Sequence, residues 1–167
     1  MTQPDPDTVP VRVPDVQHEV VVAAPPERAF DAFLALDRIK PREHNLLPVP
    51  IEETVLEPRV GGAVYDRGVD GSTCRWARVL AFDPPHRLVL SWDIGPDWRV
   101  HDDLAHASEV EVTFAPHGDS ATRVTLVHRH LDRHGEGGAA VREGVDGEGG
   151  WPLYLHRYAA VVTGGAA

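Results

Sequence analysis

Three histidines near the end of a patterned segment are the first residues here that could do chemistry. In HRHLDRH, His128 and His130 fall on one face of a predicted strand end, and His134 follows shortly afterwards. Neutral imidazoles at such spacing can hold zinc, but no cysteine or carboxylate stands at a matching spacing, so we predict no metal site. Because His128 shares its face with Val124 and Leu126, we expect it to point inward, as a structural group or a ligand partner.

The other reactive residue types give weaker signals. Glu109 and Glu111 alternate onto the solvated face of a strand and do not predict a converging acid and base. Cys74 is the only cysteine and has no base beside it, and the GxSxG motif of hydrolases is absent. The glycine-rich residues 144–150 follow no strand and lack a Gly-Lys-Ser/Thr ending, so we expect them to interrupt a helix. We therefore predict no catalytic group and no cofactor.

Composition limits the partners of the chain. Its 167 residues suffice for one domain with a substantial core, and 16 basic against 26 acidic residues give a net charge of -10. This charge disfavours nucleic acids and acidic membranes. A single cysteine, a start (MTQPDPDTVP) without signal-peptide character and the lack of a long apolar run predict a cytoplasmic protein with no membrane partner.

The N-terminal third must supply a leader, a strand and a helix. Residues 1–15 hold four prolines among polar residues and are predicted to form a flexible leader. Alternating valines over 16–23 predict a half-buried strand, and apolar spacing after Pro26 predicts an amphipathic helix. Prolines then predict broken turns, with Leu46 and Leu47 tucked inward.

The middle of the chain is predicted to hold a run of six strands, and the connections between residues 51 and 92 are hairpin-short, which predicts an antiparallel sheet. Leu88, Leu90 and Trp92 alternate with polar positions, so one face should be apolar and the other largely solvated. Residues 93–107 form a long polar loop without a pattern. Such a loop is either a lid over a site or an ordinary connector.

The segment GGWPLYLHRYAAVV predicts a final helix over residues 152–162. Trp151, Tyr154, Leu155 and Tyr158 fall on one stripe at helical spacing. An aromatic stripe of this kind must lie against something, and the apolar face of the sheet is the surface that lacks a cover. We therefore predict an α+β domain in which a curved sheet grips the C-terminal helix.

This order of elements matches a known superfamily. The segments that carry the likeness are PPERAFDAFL, EPRVGGAVYDRGVDG, WARVLAFDPPHRLVLSWDI, SEVEVTF, TRVTLVHRHLDRHG and GWPLYLHRYA. Over residues 16 to about 162 the chain resembles the START-like or SRPBCC superfamily, and within it the branch similar to the activator of the 90-kilodalton heat-shock chaperone's ATPase. The resemblance implies a single helix-grip domain over 16–163, with about six or seven antiparallel strands wrapped around the final helix.

A sheet bent around a helix leaves space that either holds an apolar ligand or is filled as a solid core. We predict a non-catalytic domain that binds an apolar small molecule, either a lipid or an aromatic polyketide-like compound. Strand alternation and the helical stripe nominate ten ligand-binding residues: Leu90, Trp92, Val112, Phe114, Leu126, His128, Trp151, Tyr154, Leu155 and Tyr158.

Other functions remain open, because one fold serves many functions. One alternative is an enzyme of the polyketide cyclase or aromatase kind, with His128 and a tyrosine such as Tyr154 transferring protons. The resemblance also implies a third function, a protein-interaction domain that contacts a chaperone. An exposed edge strand would in addition permit a homodimer.

Overall fold

The structure is a computed structural model that describes residues 12–164. Its strands are β1 (Val16–Val22), β2 (Ile51–Leu56), β3 (Ala63–Gly68), β4 (Thr73–Asp83), β5 (Arg87–Trp92), β6 (Ser108–His117) and β7 (Ala121–Arg129). The α-helices are α1 (Pro26–Leu34), α2 (Leu36–Ile39), α3 (Gly138–Asp146) and α4 (Trp151–Thr163), and 3-10 helices span Leu104–His106 and Leu131–Gly137.

The strands form one antiparallel sheet in the order β1-β7-β6-β5-β4-β3-β2. From β2 to β7 each strand pairs with its neighbour in sequence, across the short turns and also across the long loop between β5 and β6. The first strand, β1, forms the edge of the sheet next to β7, where Val16 lies opposite His128. Register shifts interrupt the β2–β3, β3–β4 and β4–β5 pairs, and an extra residue at such a point bends a strand. The predicted helix-grip fold with a curled seven-stranded sheet is confirmed.

The alternation seen in the sequence separates the two faces along most of the sheet. In β7, the side chains of Val124, Leu126 and His128 are fully buried on the concave face. The opposite face is not solvated everywhere, because Val89 and Ser91 of β5 are also buried. The expectation of a largely solvated second face is therefore wrong at this central strand.

The final helix crosses the concave face, and α1 packs beside it. The Tyr158 hydroxyl donates to the Ala29 carbonyl oxygen at 2.6 Å. Phe33 meets the Tyr158 ring edge to face at 5.3 Å and the Phe114 ring at 5.9 Å. Rings in this arrangement attract each other beyond their buried area. These aromatic contacts fill much of the space between sheet and helix with a solid core.

Two segments outside the sheet bear on earlier expectations. Leu46 was expected to tuck inward, and this is wrong: the residue is 39% exposed, because it lies at the rim of a cavity. Of the predicted leader over 1–15, residues 1–11 lie outside the described part of the chain. Within residues 12–15, the Pro14 carbonyl oxygen accepts a hydrogen bond from Arg142 Nε at 2.9 Å. No helix in residues 12–164 is long and apolar enough to cross a bilayer.

Candidate functional site

A cavity of about 340 Å³ opens between the central strands, the turn after α2 and the junction of α3 with α4. It lies beside the aromatic core, where α1 and α2 no longer fill the space under the final helix. Its apolar wall is formed by residues from five segments: Trp76, Trp92, Ile94, Val145 and Trp151. A concave, mostly apolar space with a few polar groups is typical of small-molecule sites.

The wall of the cavity is a continuous series of aromatic rings. Trp76 and Trp92 stand on adjacent strands with ring centroids 5.8 Å apart, and Trp92 meets Trp151 at 5.4 Å. Tyr154, nearly one helical turn after Trp151, continues the series at 5.4 Å. All of these contacts are edge to face, so the rings support one another without stacking. They present a broad aromatic surface to any bound molecule.

A buried ion pair lies at one side of the cavity. Lys40, just after α2, places its Nζ 3.2 Å from Asp66 Oδ2, and both residues are almost fully buried. The Thr54 hydroxyl donates to the second Asp66 oxygen at 2.7 Å, and Lys40 Nζ also donates to the His44 carbonyl oxygen. Paired charges with additional hydrogen bonds can be retained in a protein interior. The pair therefore joins the helical turn to β2 and β3.

A histidine and a tyrosine meet at the same side of the cavity. His44 Nδ1 lies 2.8 Å from the Tyr154 hydroxyl oxygen, and their rings stack at 5.6 Å. Burial lowers the pKa of His44, and the positive charge of Lys40 acts in the same direction. Burial raises the pKa of Tyr154, with Asp66 adding to the effect. Both side chains are therefore neutral near pH 7, and either can donate to the other.

His128 sits in a hydrogen-bonded chain beside the cavity wall. Its Nδ1 accepts from the Trp151 indole N–H at 3.1 Å, so the ring proton belongs on Nε2, which donates to Ser108 Oγ at 2.6 Å. The serine hydroxyl can then donate to His134 Nε2 at 2.7 Å. Burial lowers the pKa of His128 to about 3, so the imidazole stays neutral. This chain fixes the orientation of Trp151.

The ten residues predicted from sequence divide into three groups. Trp92, Trp151 and Tyr154 line the cavity. Leu90, Leu126 and Leu155, together with Trp151 and Tyr154, surround a second space of only about 20 Å³, which suits a water molecule at most. The remaining four lie in the packed interior and line neither space: Val112, Phe114, His128 and Tyr158. Binding of a ligand by any of the ten stays a prediction.

Sequence reasoning missed the polar side of the cavity. Lys40 and His44 lie in a proline-broken turn with no periodicity, so no pattern marks them. Asp66 did carry a signal, because it alternates with Val64 on the inward face of β3, where a carboxylate is unusual. Among residues 12–164, no group of three or more histidine, cysteine or acidic side chains converges to hold a metal ion.

The long loop over 93–107 contributes to the mouth of the cavity. Ile94 and Trp98 both line it, although Trp98 is 53% exposed. Gly144 of α3 leaves room for this indole, since a Cβ there would lie 3.1 Å from Trp98 Cη2. The loop is thus part of the site, and whether it acts as a lid or as an ordinary connector stays open as a prediction.

A curled antiparallel sheet that grips a C-terminal helix beside an aromatic cavity defines a helix-grip domain of the START-like, or SRPBCC, class. Within this class, the family model described as "Activator of Hsp90 ATPase homolog 1-like protein" matches residues 23–163. The chain belongs to this family, as the resemblance in the sequence implies.

Solved structures agree with this assignment. An anthrahydroquino-gamma-pyrone synthase, Txn09, is 39% identical over 90% of this chain and 98% of its own, with a TM-score of 0.63. The self-sacrificing resistance protein CalC from Micromonospora echinospora is 29% identical over 89% of this chain and 94% of its own, with a TM-score of 0.62. The Aha1 dimer from Colwellia psychrerythraea shares the fold, with a TM-score of 0.60. It is 12% identical over 93% of this chain and 100% of its own. No curated protein matches the chain.

Proposed function

We propose that this domain binds a planar aromatic, polyketide-like small molecule in the cavity lined by Trp76, Trp92 and Trp151. The observation that carries the proposal is an open space of about 340 Å³ walled by tryptophan side chains. Small-molecule sites generally measure roughly 300–1,000 Å³, so the space suits a compound of a few fused rings. Aromatic walls favour aromatic ligands over flexible lipid chains, because rings gain from specific edge and face contacts.

The likeness to the anthrahydroquino-gamma-pyrone synthase supports the same ligand class. That protein's name refers to a fused aromatic ring system, and the similarity extends over nearly all of both chains. The aromatic alternative predicted from sequence is therefore favoured over the lipid alternative. Contact with a chaperone, a homodimer and a cytoplasmic location stay predictions.

Ligand binding is tested by equilibrium dialysis with emodin, a tricyclic aromatic polyketide, and with palmitate as a lipid. We expect saturable binding of emodin and weaker binding of palmitate. Two leucines give a matched pair: Leu46 is 39% exposed and lines the cavity, whereas Leu104 is 43% exposed and does not. Leu46→Ala should weaken emodin binding about fivefold by removing apolar contact, and Leu104→Ala should leave it unchanged. Equal effects, or no saturable binding, would contradict the proposal.

A second candidate function is catalysis of the cyclase or aromatase kind. The observation that favours it is the neutral His44–Tyr154 pair, which lines the cavity and holds its partner atoms 2.8 Å apart. General acid and base groups need to lie within hydrogen-bonding reach of the reacting atoms. The sequence suggested His128 as the partner of a tyrosine, but both ring nitrogens of His128 are engaged by Trp151 and Ser108.

A further inference from the structure

We propose that His44 and Tyr154 form a neutral proton shuttle that interconverts the keto and enol forms of a bound aromatic ketone. The inference rests on the proposed binding of aromatic polyketide-like molecules and adds the chemical feature that a substrate of the shuttle must carry. That feature is a carbonyl group with a C–H bond on the adjacent carbon.

The two side chains reach the cavity from separate elements and are held in place. The backbone of His44 is fixed at both ends, because its N–H donates to the Pro41 carbonyl oxygen at 3.2 Å and its carbonyl oxygen accepts from Lys40 Nζ. Tyr154 stands in the first turn of α4, where its N–H donates to the Gly150 carbonyl oxygen. The stacking of the two rings, inclined by only 22°, limits their rotation.

Each side chain of the pair keeps one hydrogen-bonding position through which it can exchange a proton with a ligand. His44 Nδ1 is occupied by the Tyr154 hydroxyl, whereas His44 Nε2 has no hydrogen-bond partner among residues 12–164. A hydroxyl oxygen can donate one hydrogen bond while it accepts another. A ligand carbonyl beside Tyr154 and a ligand C–H beside His44 would therefore complete a closed path.

The step balances without any further reactant. Tyr154 gives its hydroxyl proton to the ketone oxygen and takes the proton of His44 Nδ1 in its place. His44 Nε2 takes the proton from the carbon next to the carbonyl. The electron pair of that C–H bond forms the carbon–carbon double bond, and the carbonyl π pair forms the new O–H bond. The products are the enol, an intact tyrosine and His44 in its other neutral tautomer. Proton exchange with water then returns His44 to its starting tautomer.

The shuttle requires a neutral imidazole before and after the step, and the surroundings of His44 provide it. Burial and the positive charges of Lys40 and Arg157 lower its pKa, against the opposing effect of Glu43. A histidine that stays neutral below its ordinary pKa can act as both donor and acceptor through the whole neutral range. No net charge develops on it during the step, so burial does not oppose the transfer.

Tyr154 must likewise remain protonated in the resting state. Burial raises the pKa of its phenol, and the negative charges of Asp66 and Glu43 act in the same direction, opposed by Arg157. A phenol that stays protonated is suited to donate its proton to a carbonyl oxygen while it receives another proton from the imidazole. The charges around the pair thus favour neutral transfer over a stable tyrosinate.

The test measures deuterium incorporation into 2-tetralone, an aromatic ketone with acidic C–H bonds beside its carbonyl, by mass spectrometry in deuterated buffer. We expect the wild-type domain to accelerate exchange. His44→Gln and Tyr154→Phe should each lower the catalysed rate about a hundredfold, the order of magnitude of general acid–base catalysis. Dissociation constants from dialysis should change by no more than about threefold, because the lost contacts act on the reaction rather than on binding.

The control and the pH profile exclude a merely structural role. His156 is exposed on the same helix and does not line the cavity, so His156→Gln should exchange at the wild-type rate. The catalysed rate should stay level through neutral pH and fall in acid once His44 becomes protonated. Binding of 2-tetralone with equal exchange in wild type and His44→Gln overturns the shuttle alone. Failure of 2-tetralone to bind also overturns it, and emodin binding then decides whether the ligand proposal falls as well.

Discussion

Acidification from pH 7 to pH 5 should destabilise this domain through one buried histidine. Burial lowers the pKa of His128 from 6.5 to about 3 in the folded state. Between these two values the unfolded chain binds a proton that the folded chain does not, so stability falls as the pH decreases. The contribution of neutral His128 is complete above pH 6.5 and is lost progressively below it.

The size of the loss follows from the same linkage. Each pH unit below 6.5 costs about 1.4 kcal/mol once the unfolded-state histidine is fully protonated. Integration from pH 7 to pH 5, with the onset of protonation included, gives a loss of about 2 kcal/mol in the free energy of unfolding. Urea denaturation at both pH values, followed by tryptophan fluorescence, measures it directly.

Variants separate His128 from the other histidines. His128→Gln lowers stability at every pH, because Trp151 and Ser108 lose a buried partner, but its own loss between pH 7 and pH 5 should be smaller than that of wild type by about 2 kcal/mol. The exposed His156 offers the control, and His156→Gln should retain the full wild-type loss. An equal pH dependence in wild type and His128→Gln would refute the reasoning.

Two further predictions concern the cavity. Asp66→Ala removes the carboxylate beside buried Lys40 and should lower the free energy of unfolding by about 3–5 kcal/mol in urea denaturation, since an unpaired buried charge is costly; a loss under about 1 kcal/mol would contradict this. Trp98→Ala removes a side chain that is 53% exposed and should change stability by no more than about 0.5 kcal/mol. Because Trp98 lines the cavity, emodin affinity by dialysis should nevertheless fall about fivefold, and an unchanged affinity would remove the loop from the site.

The fold could be predicted from the sequence because it depends on patterns that a chain displays locally. Alternation over β5 to β7, short turns between strands and the aromatic stripe of α4 each identify one element and its buried face. The glycine-rich break before Trp151 was also predicted, and the structure confirms it between α3 and α4. The burial of Val89 was not predicted from the sequence, because coverage of the outer sheet face depends on contacts distant in sequence.

The position of the cavity could not be predicted from those patterns. Alternation states which face a side chain occupies, but it does not state how deeply other elements fill the space in front of it. Phe114 and Tyr158 point into the gripped space as predicted, yet Phe33 of α1 packs against both of them. The cavity of about 340 Å³ lies where α1 and α2 give way to the turn that carries His44.

The glycines before the final helix determine where that helix begins. A Cβ at Gly150 would lie 2.1 Å from the Val145 carbonyl oxygen, closer than any real side-chain carbon can approach, so only glycine permits this turn between α3 and α4. Gly149 and Gly150 line the cavity together with Trp151, which begins the next helix. The break in the helix thus ends α3 at Asp146 and lets Trp151 begin α4 at the aromatic wall of the cavity.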